Sequence, residues 1–270
     1  MKWRGQGVWV LGAGFLGSAL SAACRAAGAS VLTVDKSASA DMHVDVADAQ
    51  ALAIGVGRVV PRIAFCCLST RGGDADAYHR VYLQSLRALL SVAPAVRPVF
   101  CSSVSLYPDT CGQPVDEATP ISPLNARQEV LVQAESLALA AGGLVLRLAP
   151  LYGSGRCELL RRHLAGEPGL PGPPERWLNY LHVDDAVQAM MHLAAHGKTG
   201  LYNLSSESFT YAEAYACLEQ LTGMPRAAES AHASIRGSAD RRITSYRYKM
   251  DSPHRFGDFV RAELQNPTLS

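Results

Sequence analysis

Three glycines at a fixed spacing are the first residues in this 270-residue chain whose types and positions suggest chemistry. Gly12, Gly14 and Gly17 form a GxGxxG pattern after the apolar run 8–11 and before an alanine-rich segment. The first glycine permits a tight turn, the second permits close approach to a pyrophosphate, and the third permits close helix–strand packing. We therefore expect a dinucleotide site whose phosphates accept hydrogen bonds from N–H groups at a helix N-terminus.

An acidic residue at the expected distance supports the same ligand. A second strand-like run, 29–34, ends in Asp35, close to the spacing of about 20 residues expected for a ribose-binding acid. A carboxylate there accepts from ribose hydroxyls and repels the 2′-phosphate of NADP. We therefore expect NAD, while the neighbouring Lys36 keeps NADP open. Phe15 and Leu16, inside the glycine turn, are predicted to contact the same cofactor.

Strand-like and helix-like segments alternate along the first 150 residues. The strand-like runs are 8–11, 30–34, 42–44, 62–68, 98–101 and 143–148. Amphipathic helices are predicted at 78–92 and 126–141, from the helical spacing of their apolar residues. This alternation predicts an α/β fold with a Rossmann-type doubly wound parallel sheet.

Glycine and proline become frequent after residue 148, which indicates longer loops. The elements predicted beyond it are a helix from the His182–Asp185 motif to about Ala195 with an Asp as its N-cap, a strand at 201–204 and a helix at 211–222. We therefore expect a Rossmann domain at 1–150 and a small C-terminal substrate lobe at 151–270. Within the lobe, about 180–205 is expected to return to the Rossmann core.

Composition narrows the class of partner. The chain has 25 basic and 24 acidic residues, so we expect no nucleic-acid partner. No apolar run reaches the roughly 18 residues of a membrane span, and the glycine spacing argues against a secretory signal at the N-terminus. The seven cysteines form no CxxC or Cys/His pattern. They are interpreted as free buried thiols in the cytoplasm, and no metal site is predicted.

Four motifs in order resemble a known family. The glycine turn is followed by Ser-Ser-Val-Ser-Leu-Tyr at 102–107, by Arg-Leu-Ala-Pro-Leu-Tyr-Gly-Ser-Gly-Arg at 147–156 and by Leu-His-Val-Asp-Asp-Ala at 181–186. Together they resemble the NAD-dependent epimerase/dehydratase group of the extended short-chain dehydrogenase/reductase superfamily. The resemblance implies a nicotinamide cofactor held by the Rossmann sheet and a small-molecule substrate bound by the C-terminal lobe. A homodimer is the expected assembly.

The resemblance also implies further cofactor contacts. Asp45 and Val46, after the third strand, are similar to the pair that contacts adenine in the family. Leu68, Ser69 and Thr70, after the fourth strand, are expected near the cofactor ribose.

The proton machinery of the family is only partly present. Family members use a Ser or Thr after the fifth strand and the Tyr of a YxxxK helix, and Ser103 matches the first. With Glu135 aligned to the recurrent acid of that helix, Arg127 stands in place of Tyr and Leu131 in place of Lys. The pattern resembles an atypical subgroup that keeps the cofactor motif and has lost part of its active site.

Two further positions depart from the family. Tyr82 and Leu83 occupy the positions nearest to the usual Asn of the preceding helix. Pro150 stands where many nucleotide-sugar enzymes carry an Asn that touches the substrate. This difference argues against a sugar nucleotide and leaves the substrate open.

Three residues are candidates for catalysis, each with a structural alternative. Ser103 orients a substrate oxygen or caps a turn. Tyr107 acts as an acid, which would need a cationic neighbour, or packs in the interior. Arg127 supplies that cation or binds an anionic substrate group, or else pairs with Glu135 or Glu129 on the helix surface.

Three more residues are candidates for substrate binding. Arg156 binds a phosphate or carboxylate, or is a solvated loop residue. His182 titrates in the useful pH range, but it also precedes a helix and can support that turn. Tyr152 belongs to the same family motif as Arg156 and completes the predicted substrate set.

Two functions follow from these observations. The first is an NAD(P)-dependent oxidoreductase or epimerase/dehydratase that acts on a small hydroxylated or carbonyl substrate, including sugar-derived ones, without YxxxK. The second is a noncatalytic NAD(P)-binding sensor or partner subunit that kept the cofactor site.

Overall fold

The structure is a computed structural model that describes residues 3–70, 72–168, 172–227, 239–245, 247–251 and 254–265. Its strands are β1 (Gly7–Leu11), β2 (Ser30–Asp35), β3 (Met42–His43), β4 (Ile63–Cys66), β5 (Arg97–Ser103), β6 (Pro114–Val115), β7 (Leu144–Leu148), β8 (Leu151–Tyr152), β9 (Trp177–His182), β10 (Gly200–Leu204), β11 (Glu207–Thr210) and β12 (Arg242–Ile243). Its α-helices are α1 (Phe15–Ala26), α2 (Ala49–Val56), α3 (Ala75–Tyr78), α4 (Ser85–Val92), α5 (Ala126–Ala140), α6 (Glu158–Leu164), α7 (Val183–Ala195), α8 (Tyr211–Thr222) and α9 (Phe256–Gln265).

A seven-stranded sheet confirms the predicted fold class. Its strand order is β10-β7-β5-β4-β1-β2-β3. The pairs β1–β2, β1–β4, β2–β3 and β4–β5 are parallel. Their residues are largely buried, because helices cover both faces of a doubly wound sheet and leave little surface for polar side chains. The strand order reverses at β1, and open sheets of this kind bind ligands at the carboxyl ends of the strands beside such a reversal.

The chain divides into two compact units. The first contains residues 1–106, 122–147 and 186–202, and the second contains 107–121, 148–185 and 203–270. The second unit has a sheet of order β11-β9-β8 and the short pair β12–β6. Its apolar core joins α6, α8 and α9 through side chains such as Leu159, Leu218 and Val260. The boundary predicted near residue 150 stays a prediction, and the segment 107–121 is the part of the second unit that precedes it.

Several local details differ from the sequence-based expectations. The predicted helix 78–92 is interrupted by a π-helical segment, His79–Gln84, that lies between α3 and α4. An Asp was expected to cap α7, but the helix begins at Val183, and His182 Nδ1 accepts a hydrogen bond from the N–H of Asp184. The His182 imidazole is therefore the N-cap group of α7. None of the helices among the described residues combines the length and hydropathy needed to cross a membrane.

A buried charged network connects three elements of the first unit. Glu135 on α5 accepts hydrogen bonds from Arg147 on β7, at 3.0 and 2.7 Å, and from the hydroxyl of Ser102 on β5, at 2.5 Å. Both charged side chains are almost completely buried. Because a buried charge is costly unless it is paired and hydrogen-bonded, α5 is held against the end of β5.

We expect Glu135→Gln to lower the free energy of unfolding by about 3–5 kcal/mol, because it leaves the buried Arg147 charge without its counter-ion. Chemical denaturation monitored by circular dichroism measures this change. Glu158→Gln is the matched control, since Glu158 and Arg161 form an exposed pair at 2.9 Å. Such pairs contribute about 0–1 kcal/mol. Equal losses in the two variants would show that the buried network does not stabilise the fold.

Candidate functional site

The glycine turn between β1 and α1 has the geometry that its sequence predicts. Gly12 has a φ of +101°, and a Cβ at this position would lie 2.7 Å from the carbonyl oxygen of Cys67. A Cβ on Gly17 would overlap the carbonyl oxygen of Gly12. Both positions therefore require glycine, the first for its conformation and the second for close packing of α1 on the turn.

Gly14 differs from the other two glycines because none of the described residues crowds it. A Cβ on Gly14 would meet no atom of these residues within 4 Å. The residue is the N-cap of α1 and, being glycine, has no side chain that could cap the helix end. The space beside Gly14 and the N–H groups of the first helical turn thus suit an anion that approaches the backbone closely. Phe15 is half-buried there, whereas the Leu16 side chain is buried in the core.

Asp35 is fixed against this turn. Its Oδ2 accepts a hydrogen bond from the N–H of Ala13 at 2.9 Å, and its Oδ1 accepts from the N–H of Ser37 at 2.8 Å. The side chain lies at the carboxyl end of β2, next to β1 in the sheet. Each carboxylate oxygen keeps a lone pair for a further donor, so Asp35 can accept from a ribose hydroxyl.

The ammonium group of Lys36 forms an ion pair with the carboxylate of Asp45. Its Nζ lies 2.9 Å from Asp45 Oδ2, and Arg80 donates to the same oxygen from Nε at 3.1 Å and Nη2 at 2.5 Å. Burial raises the pKa of Asp45, but hydrogen bonds from Lys36, the N–H of Ala47 and Arg80 outweigh it and bring the pKa to about 2. Asp45 therefore stays ionised and partly compensates the charge of Lys36. Val46 beside it is buried.

The segment after β4 lies close to the π-helical segment. Burial and the nearby Tyr78 raise the pKa of Tyr82, and polar groups of Thr70 and Ser69 beside its phenol partly offset this rise. Ser69 is exposed, and Leu68 and Thr70 are half-buried. A π-helical turn shifts the following side chains around the helix axis, and such turns are frequent at functional sites.

Ser103 ends β5, and its hydroxyl keeps an uncommitted proton. Its Oγ accepts a hydrogen bond from the N–H of Ser105 at 3.1 Å, so it caps the following turn. No acceptor for its proton lies among the described residues. Ser103 can therefore both cap the turn and donate to a ligand oxygen, which means that the two interpretations of this residue are compatible.

The α5 residues that replace the expected Tyr and Lys lie in different surroundings. Arg127 is exposed, and its guanidinium carbon lies 6.0 Å from the ring centre of Tyr78. Leu131 is buried in the core. The suggested pairing of Arg127 with Glu135 is wrong, because Glu135 is buried and binds Arg147. Arg127 instead makes a cation–π interaction with the ring of Tyr78.

Tyr107 lies in the second unit and is fully buried there. Its hydroxyl donates to Asn203 Oδ1 at 2.9 Å, and its carbonyl oxygen accepts from Arg241 at 2.8 Å. The phenol proton therefore already has an acceptor inside the protein. This contact favours the packing interpretation of Tyr107, while its role as an acid stays a prediction.

Tyr152 and His182 belong to one aromatic cluster of the second unit. Their ring centres are 5.0 Å apart, and burial raises the pKa of Tyr152 well above its usual value. His182 is stacked on His254 with ring centres 4.1 Å apart and planes 16° apart. Burial, followed by the proximity of His254, lowers the pKa of His182. Both predicted substrate residues thus have structural contacts, and Arg156 lies exposed on the turn 153–156.

Candidate metal ligands in the second unit were not found from the sequence. Atoms of His182, Asp184 and His254 that can bind a metal ion lie within 4.8 Å of one another. The two imidazoles are nearly parallel, so their in-plane lone pairs run side by side rather than converging on one ion. His254 Nδ1 also lies 2.6 Å from Asp185 Oδ1. We interpret these contacts as a hydrogen-bonded cluster.

The first unit therefore contains the predicted cofactor residues and two of the three catalytic candidates. Tyr107 and the three substrate candidates lie in the second unit. The sequence analysis did not assign Arg80, Tyr82 or His254 to a site. For Tyr82 the only signal in the sequence was its position near that of the usual Asn of the family. No signal existed for Arg80 or His254, because their partners are 35 and 69 residues away in the chain.

The model of one protein family matches most of the chain. The NAD dependent epimerase/dehydratase family matches residues 8–205. A search of the curated proteins found no match.

Solved structures share the fold at low sequence identity. MoeE5 in complex with UDP-glucose and NAD is 22% identical with a TM-score of 0.78, covering 96% of this chain and 97% of that one. The UDP-glucose 4-epimerase of Thermus thermophilus in complex with NAD is 19% identical with a TM-score of 0.77, covering 96% and 99%. The L-threonine dehydrogenase of Phytophthora infestans is 16% identical with a TM-score of 0.81, covering 96% and 99%.

Replacement of Gly17 tests the packing of the glycine turn. An alanine inside a helix normally stabilises it by about 1 kcal/mol relative to glycine. We expect Gly17→Ala to destabilise the protein by about 1–3 kcal/mol instead, because its Cβ would overlap the turn. Thermal or urea unfolding gives the value. In the control Gly57→Ala the Cβ meets only ordinary contacts at 3.6 Å. A stabilised Gly17→Ala protein would refute the tight turn.

The cluster around Asp45 makes stability depend on pH. The folded-state pKa of about 2 lies below the unfolded value of about 3.9, so the contribution is complete above pH 4 and disappears as the pH falls through 2. We expect Asp45→Asn to cost about 1 kcal/mol at pH 7, since Lys36 and Arg80 are largely exposed. Urea unfolding of both proteins at several pH values should show this difference shrinking below pH 4. A constant difference would contradict it.

Proposed function

Since the chain belongs to the NAD-dependent epimerase/dehydratase family, we propose that it is an NAD-dependent oxidoreductase or epimerase/dehydratase. Its substrate in this proposal is a small hydroxylated or carbonyl compound. The expected family and an NAD cofactor agree with the matching family model and with relatives whose structures contain NAD.

One observation carries this proposal. The glycine turn leaves open space beside Gly14, and Asp35 is fixed to the N–H of Ala13 at 2.9 Å. An open helix N-terminus suits the pyrophosphate of a dinucleotide, and the carboxylate suits a ribose diol. Lys36 is paired with Asp45, which reduces the attraction that its charge would offer to a 2′-phosphate. These contacts support NAD ahead of NADP.

Two residues of this chain, Ser103 and Arg127, are assigned roles in the proposed chemistry. NAD, when bound, supplies the hydride acceptor. In the proposal Ser103 donates its uncommitted proton in a hydrogen bond to the substrate oxygen and so orients it. Arg127 stays a candidate for binding an anionic substrate group, because its contact with the Tyr78 ring leaves its five N–H donors available.

A noncatalytic NAD-binding protein is the second candidate. Two observations favour it. Leu131 is buried where the family carries its Lys, and the hydroxyl of Tyr107 is committed to Asn203. In this alternative the cofactor site is kept for regulation or for a partner protein.

The cellular context belongs to the same proposal. The seven cysteines are free, and four of them are buried, which supports a cytoplasmic location. The homodimer expected from the sequence stays a prediction. No nucleic-acid partner is included, since basic and acidic residues are almost balanced.

Asp35→Asn tests the cofactor assignment. The amide keeps an oxygen for the N–H of Ala13 but loses the charge that accepts from ribose, so we expect NAD affinity to fall about tenfold. The ratio of the NAD affinity to the NADP affinity should also fall, because the neutral amide no longer repels the 2′-phosphate of NADP. Isothermal titration calorimetry measures both constants. In the control Asp48→Asn the asparagine still caps α2, and binding should not change. Unchanged NAD affinity in Asp35→Asn would refute the assignment.

Detection of hydride transfer distinguishes the two candidate functions. The NAD-loaded protein is mixed with a panel of small hydroxy acids, sugars and sugar acids, and reduced nicotinamide is followed by its near-ultraviolet absorbance. We expect at least one compound either to produce reduced cofactor or, since an epimerase or dehydratase regenerates NAD in each turnover, to be converted to an isomer or a dehydrated product detected by NMR. Ser103→Ala should slow this conversion about 100-fold or more. Binding of NAD with neither reduced cofactor nor an altered compound would favour the noncatalytic candidate.

A further inference from the structure

A polar cavity of about 240 Å³ lies within the second unit and has no assigned role. It lies where β10 ends and along the segment that follows β12. Its lining residues are Asn203, Ser205, Ser206, Ile243, Thr244, Ser245, Tyr248, Lys249, Met250 and Arg255. Five of these ten residues carry a hydroxyl group, and two carry a positive charge. A lining of this kind differs from the mostly apolar wall of an ordinary ligand pocket.

Four of these hydroxyl groups donate a hydrogen bond to an acceptor within the protein. Ser206 donates to Asp185 Oδ2 at 2.5 Å, and Ser245 donates to Glu117. Thr244 donates to the carbonyl oxygen of Val115 at 2.9 Å, and Ser205 donates to that of Tyr180 at 3.3 Å. A hydroxyl has one proton and two lone pairs, so these groups are left as hydrogen-bond acceptors.

Some of their accepting capacity is also still unused. Ser206 Oγ accepts one hydrogen bond from the N–H of His182 at 2.9 Å, and Ser245 Oγ accepts one from the N–H of Tyr248 at 3.1 Å. Each therefore keeps one lone pair. A ligand that satisfies them has to bring hydroxyl or amine donors of its own.

The charges on the lining favour a negative ligand. Lys249 is exposed and has no ion-pair partner among the described residues, while Arg255 is 3.6 Å from Glu207. No carboxylate is among the lining residues that the structure describes. The nearby Asp185 and Glu117 accept hydrogen bonds from the Ser206 and Ser245 hydroxyls. An anion is therefore attracted mainly to Lys249, because the charge of Arg255 is partly compensated by Glu207, and donors on the same molecule match the serine oxygens.

We propose that this cavity binds a small polyhydroxylated anion, such as a sugar phosphate or a sugar acid. Its volume is below the roughly 300–1,000 Å³ of sites for drug-sized ligands, which favours a single sugar-sized molecule over a sugar nucleotide. As a statement about the substrate, the inference rests on the function proposed above. As a statement about binding, it stands on the cavity alone.

Calorimetry with defined probes tests the proposal on the full chain. NAD binding is measured first, and the protein is then titrated with glucose 6-phosphate, glucuronate, glucose and UDP-glucose. We expect one or both of the free anions to bind at least tenfold more tightly than glucose and than UDP-glucose. Lys249→Met should weaken anion binding about tenfold or more, because a charge-assisted hydrogen bond is lost. Lys198→Met removes an equal charge from the first unit and should have no effect.

Each outcome has a defined meaning. Tighter binding of the phosphate or of the carboxylate probe supports the proposal and identifies the anionic group. Failure of both free anions to bind, equal weakening by Lys249→Met and Lys198→Met, or tighter binding of UDP-glucose overturns it. Loss of folding in Lys249→Met is detected by circular dichroism, and Arg255→Met then replaces it in the same titrations. Anion binding without NAD binding would refute the proposed function and leave the cavity assignment intact.

Discussion

The buried pair of Glu135 and Arg147 is the constraint that holds α5 against β5 and β7 in the first unit. Two charges inside a core are tolerated only with each other and with full hydrogen bonding, here completed by Ser102. Because the three residues come from α5, β7 and β5, their geometry fixes the end of β5 that carries Ser103. A requirement of charge burial thereby positions a residue that itself bears no charge.

Polar groups of the second unit show a related principle, in which each contact determines what remains available for a ligand. Serine hydroxyls that donate to Asp185 and Glu117 cannot donate again and are left as acceptors. His182 Nδ1 accepts a hydrogen bond from the N–H of Asp184 in the first turn of α7, so this nitrogen is used as a helix cap. The chemistry available at a site is therefore set by the hydrogen bonds already made around it.

Departures from the family pattern have physical consequences within the first unit. Leu131 is buried where the family resemblance predicts a lysine, and its apolar side chain brings no charge that could lower the pKa of a neighbouring hydroxyl. Arg127 contacts Tyr78, and the phenol of Tyr82, in the π-helical segment, lies beside Ser69 and Thr70. The family relationship therefore identifies the fold and the cofactor class more closely than it identifies the proton donor.

The sequence by itself determined the sheet, the glycine turn and the acid after β2, because these depend on local periodicity and on short spacings such as that from Gly12 to Asp35. It also predicted α5 and α8 to within one residue. Only the tertiary structure decided that Lys36 pairs with Asp45, that Tyr107 donates to Asn203 and that a cavity lined by serines and two cations lies in the second unit. The last two of these features join residues far apart in the chain, and in all three whether a polar group is free or committed is a property of its partners rather than of its type.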